Sequence, residues 1–134
     1  MDVQSRRRTT IGALLAIPAL FSRFPRALSS PTETLTLVMT EYRFTPNQLS
    51  FRQGASYRLV LDNRGKELHE FTAPGFFGAI VLDNPDVLVA AGNEVVLQPG
   101  ERKELRFRAQ KPGRYRLTCA DHEWDGMTGE IVIE

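Results

Sequence analysis

The run Cys119-Ala120-Asp121-His122-Glu123-Trp124-Asp125-Gly126-Met127 sets a thiol, an imidazole and a thioether close together, with a second imidazole, His69, far upstream. The chain holds one cysteine and two histidines, and this constellation uses all three. Soft sulfur donors suit Cu(I) and imidazole nitrogen suits Cu(II), so a mixed set tolerates either oxidation state with little rearrangement. A His₂Cys trigonal set with a weak axial methionine is the ligand pattern that holds copper for electron transfer. Four protein ligands leave no obvious open coordination position of the kind a catalytic metal keeps for water or substrate. That speaks against an enzyme. Zinc is the competing metal for a Cys-His-His set, but a structural zinc site recruits further Cys or His ligands, which this chain lacks. Taken singly, Cys119 also reads as a buried inert thiol and Met127 as a core methionine. His122 three residues after the cysteine, and glycines 126 and 129 around the methionine, favour the ligand reading.

The N-terminus has a different character. Ser5-Arg6-Arg7-Arg8 precedes an apolar stretch from Ile11 to Phe21, the basic-then-apolar order of a secretory signal. That stretch is too short to span a bilayer, which takes about 20 apolar residues. The paired arginines before Thr9-Thr10-Ile11 resemble a twin-arginine export signal, although the favoured Phe-Leu pair is missing, and general secretion is the alternative. Residues 1–29 are expected to be a signal peptide cleaved after Ser29, with Ile17-Pro18-Ala19 as a competing cleavage point and an uncleaved interfacial anchor as a competing role. The expected location is the periplasm or the extracellular side. An oxidising compartment leaves a lone cysteine without a disulfide partner, so its thiol needs another use.

The whole chain has 134 residues, 17 basic and 16 acidic. Residues 1–29 hold five of the arginines and one acid, which leaves residues 30–134 with 12 basic and 15 acidic residues and a net charge of −3. A mildly acidic domain with interspersed signs carries no electrostatic footprint for DNA or RNA. A composition of 42% hydrophobic and 25% charged residues is ordinary for one globular domain and excludes disorder.

The elements that must position the donors follow from alternation. Leu35, Leu37 and Met39 alternate with threonines and Val38, and Met39 reads as core rather than ligand. Leu49 and Phe51 begin a second strand that ends at Gln53-Gly54. Tyr57, Leu59 and Leu61 form a third, before the turn Asn63-Arg64-Gly65-Lys66. In the segment from Leu68 to Ala73, period two puts His69 on one face with Phe71. Leu105 and Phe107 alternate with charged residues, and after Pro112-Gly113 the series Tyr115, Leu117, Cys119 sends the cysteine inward by the same parity. Ile131 and Ile133 share a face of the last strand. Residues 76–98 are the least legible: Phe77 to Leu82 is continuously apolar and fits a buried strand or a short helix. There Asn84-Pro85-Asp86 and Ala91-Gly92-Asn93 read as turns flanking a short strand. Short strands at this spacing predict an all-β fold, an antiparallel Greek-key β-sandwich of one domain over residues 30–134. One end of such a sandwich gathers His69 with the loop that carries Cys119, His122 and Met127.

The chain resembles the cupredoxins, the small blue copper proteins that include plastocyanin, pseudoazurin and azurin. The resemblance rests on Glu41-Tyr42-x-Phe44-x-Pro46, Asn63 through His69-Glu70-Phe71, Pro99-Gly100-Glu101, Pro112-Gly113-x-Tyr115, and Cys119-x-x-His122-x-x-x-x-Met127-x-Gly129. It implies a cupredoxin fold, one copper ion cycling between Cu(I) and Cu(II), and ligation by His69, Cys119, His122 and Met127. It further implies a loop histidine near the surface through which electrons pass, a redox partner such as a cytochrome, oxidase or reductase, and a monomer with no membrane span in the mature chain.

Glu70 departs from the family, where a small polar residue, commonly Asn, follows the first histidine and hydrogen-bonds the cysteine loop. Period two puts Glu70 opposite His69, which reads as a solvated or edge carboxylate. The sharper reading makes it an acceptor that orients a ligand, or a carboxylate competing with Met127 for the axial position. Asp121, Glu123 and Asp125 read as solvent-facing charges, and functionally as a negative collar selecting a basic docking face. Trp124 between them is either an exposed contact or a packed lid, and a loop aromatic is expected to pack. Two functions follow: a one-electron carrier, or a copper-handling chaperone or sequestering protein of the same fold whose ligands exchange readily.

Overall fold

The computed structural model describes residues 32–134, so the expected export segment over residues 1–29 lies outside the described residues. Two five-stranded sheets face each other across one core. The first sheet takes the order β2 (Arg43–Thr45), β1 (Glu33–Thr40), β4 (Ser56–Asn63), β8 (Arg102–Ala109), β6 (Ile80–Leu82). The second runs β3 (Gln48–Phe51), β10 (Thr128–Ile133), β9 (Gly113–Thr118), β5 (His69–Thr72), β7 (Glu94–Leu97). Among the described residues no helix is long and apolar enough to cross a membrane.

The expected all-β sandwich is present, but it is not purely antiparallel. β1 runs parallel to β4, and β3 runs parallel to β10. Parallel neighbours need a crossover, and the connection from β1 through β2 and β3 to β4 supplies one by passing from the first sheet to the second and back. The alternating series all reach the core: Leu37, Met39, Tyr57, Leu59, Leu61, Leu105, Phe107, Leu117, Ile131 and Ile133 are buried. Phe51 packs among three rings, with Tyr57, Phe107 and Phe76 centroids at 4.7, 5.1 and 5.8 Å. Burying each such side chain stabilises by roughly 1.5–3 kcal/mol.

Residues 76–98 resolve into a short helix α1 (Pro74–Phe77), β6, a 3-10 turn at Pro85–Val87, and β7. Pro74 starts the helix where its missing N–H costs nothing, and the helix drops Phe76 into the core. The strand expected between the two turns is displaced. Residues 88–90 make only one isolated bridge, Val89 to Glu94, and the strand itself follows the second turn as β7. The reason is pairing: Glu94–Leu97 aligns along β5, His69 opposite Leu97.

This topology sets the two ends of the donor constellation side by side. β5 and β9 are antiparallel neighbours joined at Thr72 and Thr118. The same register carried past Thr118 lays the cysteine loop along His69, Glu70 and Phe71.

Candidate metal centre

His69 opens β5 and is fully buried. Its position depends on the turn before it, which Asn63 organises from inside. The Asn63 side-chain amide donates to the carbonyls of Glu67 (2.9 Å) and Leu97 (3.0 Å), and its carbonyl oxygen accepts from the Gly65 N–H (2.9 Å). The turn so held points the N–H groups of Lys66 and Glu67 at one carboxylate oxygen, Glu41 Oε1, at 2.6 and 2.9 Å. These donors, that of Glu67 foremost, hold the Glu41 carboxyl below its ordinary range. The same oxygen lies 3.2 Å from His69 Nε2. The carboxylate can lie here because residue 65 is glycine: a Cβ would sit 2.2 Å from Glu41 Oε1 and 2.9 Å from His69 Nε2.

Cys119 follows β9 directly and is fully buried, as its parity predicts. Its N–H donates to the Met127 carbonyl (3.1 Å), its carbonyl accepts from the His122 N–H (3.1 Å), and the Met127 N–H donates to the His122 carbonyl (3.2 Å). The loop therefore closes on its own backbone, with a 3-10 turn at Glu123–Asp125 ended by Gly126 in the left-handed region (φ 82°), where glycine carries no steric cost. Met127 returns fully buried into the core. Beyond it, Gly129 passes so near the Asn47 carbonyl that a Cβ would lie 2.5 Å from that oxygen.

The structure thus brings three of the four predicted donors together. His69, Cys119 and His122 each offer a ligand atom, all within 4.8 Å of one another, and the His69 Nδ1 to Cys119 Sγ distance is 3.9 Å. One thiol, two imidazoles and a buried methionine on the same loop form a donor set of the type 1 copper kind. Among the described residues no further Cys or His stands by to complete a zinc site.

Glu70 requires a correction. It is not a solvated edge carboxylate but buried, because the cysteine loop covers the outer face of β5. Its N–H donates to Cys119 Sγ (3.3 Å), while its Oε2 accepts from the Cys119 thiol (3.0 Å) and from the Asp121 N–H (3.2 Å). One residue thereby ties strand to loop and touches the sulfur twice. Its carboxylate stands outside the cluster of donor atoms formed by His69, Cys119 and His122. Burial, above all, pushes the Cys119 thiol up to about 12, and the Glu70 carboxylate pushes the same way against the backbone hydrogen bond.

His122 is nearer the solvent, with its side chain 17% exposed. Tyr42 lies over it with ring centroids 4.7 Å apart, Glu67 Oε2 is 3.4 Å from Nε2, and Asp125 Oδ2 is 3.5 Å from Nδ1. Trp124 also requires a correction: it is 99% exposed and packs on nothing. The closed backbone of the loop leaves its 3-10 turn standing off the sheet, so the indole has no wall to lie against. Asp121, Glu123 and Asp125 are exposed around it, Glu123 paired with Arg116. Glu41 and Tyr42 were visible in sequence only as part of a motif. Glu41 meets His69 across 28 residues of sequence, and no local spacing signals that contact.

The model of the cupredoxin-like domain family matches residues 12–133. No curated protein sequence matches the chain. Among solved structures, auracyanin B superposes with a TM-score of 0.58 at 21% identity, covering 78% of this chain and 91% of that one. The dithionite-reduced auracyanin of the photosynthetic bacterium Roseiflexus castenholzii gives 0.57 at 19% identity, covering 78% and 99%. A multi-copper oxidase from Pseudomonas thermotolerans gives 0.62 at 20% identity, but the match takes in only 30% of that longer chain against 79% of this one. At these identities the likeness is one of fold.

Proposed function

Because the chain belongs to the cupredoxin-like domain family, we propose that it is an exported mononuclear type 1 copper protein that carries one electron at a time between redox partners. The observation that carries this reading is the convergence of the chain's single cysteine with both of its histidines inside 4.8 Å, with Met127 buried on the same loop. His69, Cys119, His122 and Met127 would hold the ion, and bound copper supplies the one-electron couple. The protein's own residues do the rest. The fully buried His69, Cys119 and Met127 resist rearrangement, which keeps the reorganisation between oxidation states small. Glu70 fixes the cysteine loop against β5 from both its backbone and its side chain.

His122, alone among the four in reaching toward solvent, stands beside the route to a partner. The exposed Trp124 with Asp121, Glu123 and Asp125 forms the face on which a cytochrome, oxidase or reductase with a basic docking surface would sit. The same burial weighs against a copper chaperone or sequestering protein, whose ligands must be released readily.

The test is to add Cu(II) to the purified copper-free protein, record the visible spectrum and titrate with a reductant. An intense blue thiolate band that bleaches and returns reversibly is expected. A colourless adduct, or copper lost promptly to a mild chelator, would turn the reading toward copper handling.

A further inference from the structure

The two nitrogens of His69 are used on opposite sides of the ring. Nδ1 looks toward Cys119 Sγ at 3.9 Å, and Nε2 lies 3.2 Å from Glu41 Oε1. Because the ring is fully buried, an Nε2–H cannot turn to bulk water, and a buried donor without a partner is costly. Glu41 supplies that partner, and its carboxylate is itself pinned by the N–H groups of Lys66 and Glu67. Gly65 leaves the space the carboxylate occupies. His122 has no counterpart to this arrangement. Its two nitrogens face two different carboxylates at 3.4 and 3.5 Å, and its side chain reaches solvent.

We infer that Glu41 is a positioning residue for the metal centre. Its carboxylate holds the proton of His69 on Nε2 and so presents the Nδ1 lone pair toward Cys119 before any metal arrives. A carboxylate behind a ligating imidazole fixes the tautomer and the ring orientation and raises the basicity of the ligating nitrogen. A more basic, negatively backed ligand favours the higher oxidation state, so Glu41 also lowers the reduction potential of copper bound at the other nitrogen. Glutamine at this position retains a carbonyl oxygen to accept from the ring and the turn but loses the charge. Alanine loses both.

This second consequence rests on the copper reading above, whereas the tautomer does not, and the experiment separates the two. Long-range proton–nitrogen NMR of the copper-free protein reads which His69 nitrogen bears the proton. The Nε2–H form is expected in the wild type and in Glu41→Gln, with a mixture in Glu41→Ala. An Nδ1–H wild type, or a tautomer untouched by Glu41→Ala, overturns the inference. With copper added, Glu41→Gln should raise the potential while keeping the visible spectrum. Glu41→Ala should also weaken Cu(II) binding about 10–100-fold, the usual loss when the partner of a ligating residue is removed. An unchanged potential in Glu41→Gln overturns the electrostatic half. A wild type that forms no blue site counts against the copper carrier and leaves the tautomer result standing. Because Glu41→Gln preserves the acceptor, poor folding of Glu41→Ala does not remove the test.

Discussion

His69 and His122 face each other with ring centroids 5.1 Å apart, and the two regions that carry them are built by different means. The His69 side is strand and turn: a fully buried ring, a carboxylate at its back, and an inner amide from Asn63 organising the turn that holds that carboxylate. The Cys119–Met127 side is a loop closed by five backbone hydrogen bonds and a left-handed glycine, with its ring histidine partly in solvent and its tryptophan wholly so. Glu70 joins the two. The two sides divide the labour. Rigidity comes from the sheet, while softness of the donor set and access for a partner come from the loop.

Cys119→Ser breaks the loop side outright. The blue band should vanish completely, and a band that survived would mean that the cysteine is not the source of the colour. On the strand side, Gly65→Ala forces a methyl group into the place of Glu41 Oε1. The carboxylate must then swing away and leave the turn without its acceptor, measurable as a fall of the denaturation midpoint, and an unchanged midpoint would show that the turn does not depend on Glu41. The copper-free Cys119 thiol, pushed up to about 12, still holds its proton at neutral pH, and that proton must leave when a metal binds. The sign is therefore fixed: binding tightens as pH rises, by about tenfold per unit from this thiol alone between about pH 7 and 9. Competition with a chelator carried on to about pH 10 measures it, and a slope that levels off at 9.0, the ordinary thiol value, would show that burial does not hold the thiol neutral. Smallest in stability is Trp124→Ala, expected to change it by less than about 0.5 kcal/mol because the side chain touches nothing. Electron exchange with a basic redox protein should nevertheless slow, with a rate that falls as salt rises. An unchanged exchange rate would take Trp124 off the docking face.

Much of the fold was legible because alternation is local. β1, β4, β8, β9 and β10 each carry a period-two series, and every member quoted from them for the core is buried except Leu35 and Tyr115, which are half-buried. Residues 76–98 were not, since Phe77–Leu82 joins the end of a helical turn to an edge strand without a change in composition. The parallel pairings of β1 with β4 and β3 with β10 were also hidden, for a strand's own pattern reports its buried face and not the direction of its neighbour.

Composition singled out the thiol and imidazole candidates, because only one cysteine and two histidines exist to be used, and parity sent Cys119 and His69 inward, because side chains alternate across the pleat. Tertiary structure alone decided what covers the other faces. Parity put Glu70 opposite His69 but could not show that the cysteine loop lies over it, and nothing near Glu41 announced a histidine 28 residues away. Nor could composition show that Trp124 has no surface to lie on. Period and composition act along the chain, whereas these contacts depend on how strands distant in sequence are laid beside one another.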